Sequence, residues 1–181
     1  GEEPADWYAL GYGQIIADAN GYDYVNHAIG GHTTYNLNAR LQEEAVIKDV
    51  AEADIIAISI GGNNFLLGGF YQMIIDALLF KKYDLVEKTA EEFYVDFGLA
   101  LDKIKAINPD AQLMVQTLYN PREDMLGKVY QHAVDLLNSN IIKIAEERKG
   151  AYVIVDVHTP FIGHTDYIQD DNIHPNEAGH Y

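Results

Sequence analysis

The sequence predicts a three-layer α/β/α fold with a parallel sheet in the middle layer. Short runs rich in Val, Ile and Tyr alternate with helical patterns along the whole chain, and no low-complexity linker separates them. The runs are nearly continuously apolar, as in strands buried on both faces, and right-handed crossovers place a helix between successive parallel strands. The 181 residues, 48% of them hydrophobic, fit a single domain with a sizeable core.

Four runs are candidate strands, because each is rich in strand-forming residues and is closely followed by Gly, Asn or His. They cover residues 22–29, 54–60, 112–118 and 152–157. A helical pattern over residues 6–20 precedes the first run, and such a helix is normally fed by a strand of its own. We therefore expect a further strand upstream of Gly1, in a single domain that spans residues 1–181.

Amphipathic patterns predict helices over residues 33–50 and 85–107. Their apolar faces comprise Leu37, Leu41 and Ala45 in the first helix, and Phe93, Phe97, Leu101 and Ile104 in the second. Further signals predict helix ends: an Asp84 cap with Glu87, an Asn120 cap followed by Pro121 and Glu123, and a stop at Gly150. Residues 65–80 predict a buried or lid-forming helix, too short and too interrupted for the ~20 apolar residues of a membrane span.

Charge and cysteine content exclude several functions. The 12 Lys and Arg against 28 Asp and Glu give a net charge of −16, so long-range attraction to nucleic acid or anionic lipid is not expected. The absence of cysteine excludes disulfides, thiolate metal sites and a cysteine nucleophile.

Polar motifs follow the predicted strands. Gly30-Gly31-His32-Thr33, Gly61-Gly62-Asn63-Asn64 and Asn120-Pro121 each come after one run, and Asp171-Asn172-Ile173-His174 follows the last run after a loop. In open parallel sheets ligands collect beyond the carboxyl ends of the strands. The motifs are therefore expected to converge at one edge of the sheet.

These residue types suit serine-dependent hydrolysis, which needs a base, an acid that orients the base and donors for the oxyanion. His174 can supply the base and Asp171 the acid that orients it, both from one loop, while the Gly31 N–H and the Asn63 carboxamide can supply donors. The only serines are Ser59 and Ser139, and neither stands where the nucleophile is needed. Taken singly, each motif is also explained by turn or cap chemistry, with Thr33 or Thr34 capping a helix.

The motifs resemble those of the SGNH hydrolases, also called GDSL esterases and lipases. Asn26-His27-Ala28-Ile29-Gly30-Gly31 is similar to the family's glycine block, Gly61-Gly62-Asn63-Asn64 to its G-x-N-D block, and Asp171-Asn172-Ile173-His174 to its D-x-x-H block. The likeness continues through Leu118-Tyr119-Asn120-Pro121 and His174-Pro175-Asn176-Glu177-Ala178-Gly179. Asn64 replaces the usual Asp, which places the hydrogen bonds of that loop in question, and Ala28 replaces a frequent Gly.

The resemblance implies a flavodoxin-like fold, a domain that is truncated at both ends, and a cofactor-independent mechanism. A serine in a Gly-Asp-Ser block upstream of Gly1 attacks a carboxylic ester, His174 takes its proton and Asp171 orients the imidazole. Gly31 and Asn63 hold the oxyanion in a pocket shared with His174. Expected substrates are small esters with short or medium acyl chains, including acetylated sugars or lysophospholipids, and the expected location is extracellular or at a bacterial cell envelope.

Two other functions stay open at this point. A noncatalytic domain that binds glycans or other ligands would keep the sheet edge and lack the nucleophile. A metal-dependent hydrolase would use the acids and histidines near the C-terminus. That cluster comprises Asp156, His158, His164, Asp166, Asp170, Asp171 and His174.

Overall fold

A computed structural model of the chain describes residues 11–181, which form a parallel sheet flanked by helices. The strands are β1 Ile55–Ile58, β2 Gln112–Gln116 and β3 Val153–Val155, in the spatial order β1-β2-β3. The helices are α1 Tyr12–Asn20, α2 Thr34–Arg40, α3 Glu44–Glu52, α4 Gly62–Leu67, α5 Phe70–Ile75, α6 Asp84–Ile107, α7 Gly127–Glu147, α8 His158–Phe161 and α9 Glu177–His180. The predicted three-layer α/β/α fold with a parallel sheet is confirmed.

One hydrophobic core joins the sheet to the two long helices α6 and α7. Phe93 and Phe97 of α6 are fully buried, with ring centroids 5.1 Å apart. Complete burial of such a side chain contributes about 1.5–3 kcal/mol. The other members from these elements are Ile58, Leu113, Val115, Leu101, Ile104, Leu137, Ile141 and Ile144. This core holds the carboxyl ends of β1 and β2 side by side, where the polar motifs follow.

Three of the four predicted strands are confirmed, each shorter than the sequence pattern suggested. The prediction of a strand over residues 22–29 is wrong. This stretch pairs with no strand among residues 11–181. Its apolar side chains, including Tyr22 and Val25, are exposed. β-propensity alone does not form a strand without a neighbouring backbone to complete the ladder. The expected strand upstream of Gly1, and residues 6–10 of the helix predicted over 6–20, lie outside the described residues.

The helix predicted over residues 33–50 is two helices, α2 and α3. A tight turn separates them, in which Gln42 N–H donates to Ala39 O at 3.0 Å and Glu43 N–H to Arg40 O at 2.9 Å. The break changes which residues face inward. Leu41 is buried as predicted, whereas Ala45 is exposed and its neighbour Val46 is buried in its place.

Two of the three predicted helix-end signals were wrong. Helix α6 is capped by Tyr83 without a side-chain hydrogen bond, and Asp84 is its first residue. Asn120 does not cap α7, which begins at Gly127. Its Oδ1 instead accepts from Arg122 N–H at 3.1 Å, an Asx turn that keeps the chain in a loop. Gly150 does close α7: it has a positive φ of 75° and donates to Ala145 O at 2.9 Å.

Residues 65–80 form α4, α5 and a π-helical turn over Asp76–Phe80, not one helix. Gly68 and Gly69 interrupt the pattern, because a β-carbon at Gly68 would lie 2.4 Å from Asn64 O and Gly69 has φ 99°. Phe65, Met73 and Ala77 are buried, and the outer side of the segment is exposed. None of the helices in the described part of the chain is long and apolar enough to cross a bilayer.

Candidate active site

The glycine block forms an open turn between residues 22–29 and α2. Gly31 has a φ of 82°, in the left-handed region that glycine adopts without steric cost. A β-carbon at Gly31 would meet no heavy atom within 4 Å. Within residues 11–181 its N–H has no hydrogen-bond acceptor. The backbone at this point is therefore accessible to a ligand.

The residues after the glycine block are held in place by hydrogen bonds at the start of α2. Thr33 caps α2 as predicted, in a capping box with Asn36. Thr34 is fully buried, and its N–H donates to Asn64 Oδ1 at 3.2 Å while its hydroxyl accepts from Asn64 Nδ2 at 2.8 Å. Asn64 therefore uses both ends of its carboxamide to join α4 to α2. The departure from Asp at this position costs the loop no hydrogen bond, because the Thr34 hydroxyl accepts from Asn64 Nδ2 where it would donate to an Asp oxygen.

Asn63 lies in the first turn of α4 and contacts the glycine block. Its Nδ2 donates to His32 O at 3.2 Å. The turn into α4 requires glycine at position 61, where φ is 125° and a β-carbon would lie 3.0 Å from the Phe93 ring. The structure thus brings the Asn63 carboxamide next to the residue that follows Gly31.

Asp171 and His174 form a hydrogen-bonded pair on the loop before α9. His174 Nδ1 lies 2.6 Å from Asp171 Oδ2, and Asp171 Oδ1 accepts from the backbone N–H groups of Ile173 and His174, both at 2.9 Å. Partial desolvation acts to raise the pKa of Asp171, but the hydrogen bonds from His174 and Ile173 outweigh it and lower that pKa below its ordinary value. The His174 side chain is 66% exposed.

Tyr119 and Gln169 hold this loop in place. The Tyr119 hydroxyl donates to Ile173 O at 2.8 Å, and its ring stacks on Phe161 at 4.3 Å. Burial and then the charge of Asp171 raise the pKa of Tyr119, so it stays a hydrogen-bond donor. Gln169 N–H donates to His174 O at 2.8 Å. These contacts fix the position of the loop that carries the His174 imidazole.

The two halves of the candidate site meet at Leu118, which precedes Tyr119. Leu118 packs against Gly61 and Gly62, where added β-carbons would lie 3.5 and 3.8 Å from its methyl groups. Asn63 and His174 make no hydrogen bond to each other, but neither is buried from solvent. That they face one acyl pocket stays a prediction.

Sequence reasoning missed the bracing role of Tyr119 and the Thr34–Asn64 bonds. The signal for Tyr119 was present, since an aromatic residue stands directly after the predicted strand over residues 112–118. The Thr34–Asn64 pair joins residues 30 positions apart, and no local pattern announces it.

Both serines of the chain are exposed. Ser59 is exposed just after β1 and Ser139 is exposed on α7, and neither hydrogen-bonds to His174. Two crevices, of about 90 and 230 Å³, open beside residues 165–172, and both are lined by Arg122 and Glu123. Neither crevice is lined by Asn63 or His174. In the described residues no three His, Asp or Glu side chains converge as a metal-ligand set.

Fold and motifs together define a protein of the SGNH hydrolase class. The chain belongs to the GDSL-like Lipase/Acylhydrolase family, whose pattern it matches over residues 4–181.

Three solved structures have the same fold. The lipase Lip_vut3 from a goat rumen metagenome is 19% identical, with a TM-score of 0.78 over 99% of this chain and 84% of that chain. Phospholipase A1 from Streptomyces albidoflavus NA297 is 20% identical, with a TM-score of 0.69 over 95% and 82%. Axe2, an acetyl-xylooligosaccharide esterase from Geobacillus, is 20% identical, with a TM-score of 0.67 over 99% and 80%.

A curated relative is the uncharacterized protein YpmR from Bacillus subtilis (strain 168). It is 26% identical over 165 residues, which are 87% of this chain. The chain spans 62% of the length of that relative.

Proposed function

We propose that this protein hydrolyses carboxylic esters through an acyl-enzyme, with His174 as the general base. The observation that carries the proposal is the hydrogen bond from His174 Nδ1 to Asp171 at 2.6 Å, together with an Nε2 that has no partner within residues 11–181. A base oriented in this way presents its lone pair to solvent. Family membership supports an ester as the substrate, as do the names of the structural neighbours: lipase, phospholipase A1 and acetyl-xylooligosaccharide esterase.

In the proposed first step a serine hydroxyl attacks the ester carbonyl and its proton moves to His174 Nε2. Asp171 stabilises the imidazolium. The oxyanion accepts hydrogen bonds from the Gly31 N–H and from Asn63. Because a carboxamide NH₂ carries two hydrogens, Asn63 can keep its bond to His32 O and still donate to the oxyanion.

Collapse of the tetrahedral intermediate breaks the ester C–O bond, and the proton on His174 goes to the departing alcohol. Water then attacks the acyl-enzyme while His174 takes its proton, and the carboxylic acid leaves with the serine restored. The proposal places the nucleophile in a Gly-Asp-Ser block preceding Gly1, since Ser59 and Ser139 make no bond to His174. The chemistry needs no cofactor. Short or medium acyl chains are the proposed substrates, with acetylated sugars and lysophospholipids as the classes to screen.

The test is the release of p-nitrophenol from p-nitrophenyl acetate and butyrate, in a protein that includes the natural residues preceding Gly1. His174→Ala should reduce turnover by on the order of 10⁶, because in a serine protease loss of the base costs about as much as loss of the whole triad. His164→Ala is the matched control. It removes another exposed histidine beside an aspartate, with Nδ1 3.3 Å from Asp166 Oδ1, and should retain the parent rate.

Equal rates for His174→Ala and the parent would reject the assignment. A parent that cleaves no ester but binds acetylated sugars would instead favour the noncatalytic function.

A further inference from the structure

A row of exposed apolar side chains runs along the segment that follows Asn63. We call it the apolar stripe; its members are 44% to 84% exposed. They are Leu67, Tyr71, Ile75, Leu79 and Phe80. Tyr71, Ile75 and Leu79 recur at every fourth position along α5 and the π-helical turn that continues it, so they share one side of that segment. Leu67 lies in α4, before the break at Gly68 and Gly69. Water-exposed apolar side chains grouped in this way mark an interaction surface.

The stripe is held on a fixed support. Met73 and Ala77, on the opposite side of the segment, are buried, and Phe70 packs edge-on against Tyr130 of α7 with centroids 4.9 Å apart. Both sides of this segment are therefore apolar, but the core covers only one. Exposing the other apolar side to water does not stabilise the protein.

Few charged residues belong to the segment that carries the stripe. Asp76 is the only ionisable acid or base in residues 62–80 besides Tyr71, and its carboxylate accepts from Gln72 Nε2 at 2.7 Å. Lys81 and Lys82 follow Phe80, are exposed and form no ion pair with any described carboxylate.

We propose that the apolar stripe docks the protein on the surface of a zwitterionic phospholipid layer. Apolar side chains with an aromatic member insert into the boundary between headgroups and acyl chains, and lysines at the edge contact phosphate groups. A zwitterionic surface suits this protein better than an anionic one, because the net charge of −16 repels an anionic layer at long range. A protein partner is less favoured, since the stripe offers few polar groups with which to fix an orientation.

Docking would place α4, and with it Asn63, close to the lipid. The proposal nevertheless stands apart from ester hydrolysis, because binding to a lipid surface needs no nucleophile. It is therefore tested on vesicles of ether-linked phosphatidylcholine, which contain no ester to cleave.

The experiment is flotation of the protein with these vesicles. The parent should float with them, and the double variant Leu79→Ser with Phe80→Ser should lose about tenfold or more in partition coefficient, because insertion of each side chain is favourable by the transfer free energy of apolar surface. Val95→Ser on α6 is the matched control, since Val95 is 64% exposed and lies outside the stripe. Its binding should equal that of the parent. Lys81→Glu with Lys82→Glu should produce a smaller loss.

A second arm replaces phosphatidylcholine with ether-linked phosphatidylglycerol. Binding should be weaker at low salt and should approach the phosphatidylcholine value as salt screens the repulsion. Circular dichroism checks that the variants are folded. Failure of the parent to float, or equal flotation of the Leu79→Ser, Phe80→Ser variant, would overturn the proposal. A parent dimer in solution that this variant converts to a monomer would also overturn it, because a second copy would then occupy the stripe.

Discussion

Two of the histidine–aspartate pairs, His174–Asp171 and His27–Asp49, are built in opposite ways. In the first, His174 turns Nδ1 to Asp171 at 2.6 Å, its Nε2 has no partner among residues 11–181, and the side chain is 66% exposed. In the second, His27 turns Nε2 to Asp49 at 2.8 Å, and its Nδ1 lies 3.4 Å from the Arg40 guanidinium. The His27 side chain is 32% exposed.

The difference shows that a histidine beside an aspartate is not by itself a catalytic unit. General base catalysis requires a nitrogen with a lone pair directed at the substrate. His174 Nε2 has no partner among residues 11–181 and is free for that role, whereas both nitrogens of His27 face residues of α2 and α3. His27 therefore ties the glycine block to those helices, although it belongs to the same sequence motif as Gly31.

The largest difference between the two pairs is expected when the carboxylates of Asp171 and Asp49 are neutralised in turn. Asp171→Asn should lower kcat by on the order of 10⁴, because the amide no longer holds the imidazole in the productive tautomer. Asp49→Asn should leave kcat close to that of the parent. Steady-state hydrolysis of p-nitrophenyl butyrate measures both. Similar losses in the two variants would mean that the pairs have equivalent roles.

The next largest effect on kcat is expected from Asn63, the proposed oxyanion donor. Asn63→Ala should lower kcat by on the order of 10²–10³, the usual cost of one oxyanion donor, with little change in KM. The control is Asn36→Ala, which removes a capping side chain on α2 and no oxyanion donor. If Asn63→Ala raised only KM, Asn63 would contribute to substrate binding and not to the transition state.

His27 should affect stability more than chemistry. His27→Ala removes hydrogen bonds to Asp49 and Arg40, and we expect a loss of about 1 kcal/mol in the free energy of unfolding, because the pair is partly exposed. His174→Ala should unfold at nearly the parent's urea concentration. Urea denaturation followed by circular dichroism compares them. A larger destabilisation from His174→Ala than from His27→Ala would reverse the two roles.

The pH dependence of stability provides the smallest effect. The folded pKa of Asp171 is lowered, so its contribution to stability is fully present above the unfolded pKa, about 3.9, and is lost as the pH falls through the folded pKa. At pH 6 Asp171→Asn should therefore unfold at lower urea than the parent, and this difference should shrink below about pH 4. A difference that stayed constant with pH would argue against the charge of Asp171 as its source.

The features that could be predicted from the sequence depend on residues that lie close together in the chain. The core stripe Phe93, Phe97, Leu101 and Ile104 of α6 repeats at helical spacing, and it is buried as expected. The Thr33 cap and the close pairing of Asp171 with His174 also follow from residues a few positions apart. They needed no knowledge of the rest of the chain.

The errors arise where distant contacts decide the outcome. Residues 22–29 have strand composition but no described neighbour to pair with. Asn120 has the sequence of a helix cap, yet its Nδ2 donates to Gly127 O at 2.9 Å and its Oδ1 accepts from Arg122 N–H in the Asx turn, which keeps residues 121–126 in a loop. In the candidate site, likewise, the motifs were evident in the sequence. The hydrogen bond from Tyr119 to the Asp171–His174 loop and the Thr34–Asn64 bonds depend on tertiary packing.

The central claim, that His174 and not His27 is poised as a base, is tested most directly by long-range ¹H–¹⁵N NMR of the two imidazoles. Where both rings are neutral, His174 should carry its proton on Nδ1 and His27 on Nε2, since each donates to a carboxylate. A His174 ring protonated on Nε2 would contradict the account, because its lone pair would then face Asp171 and not the substrate.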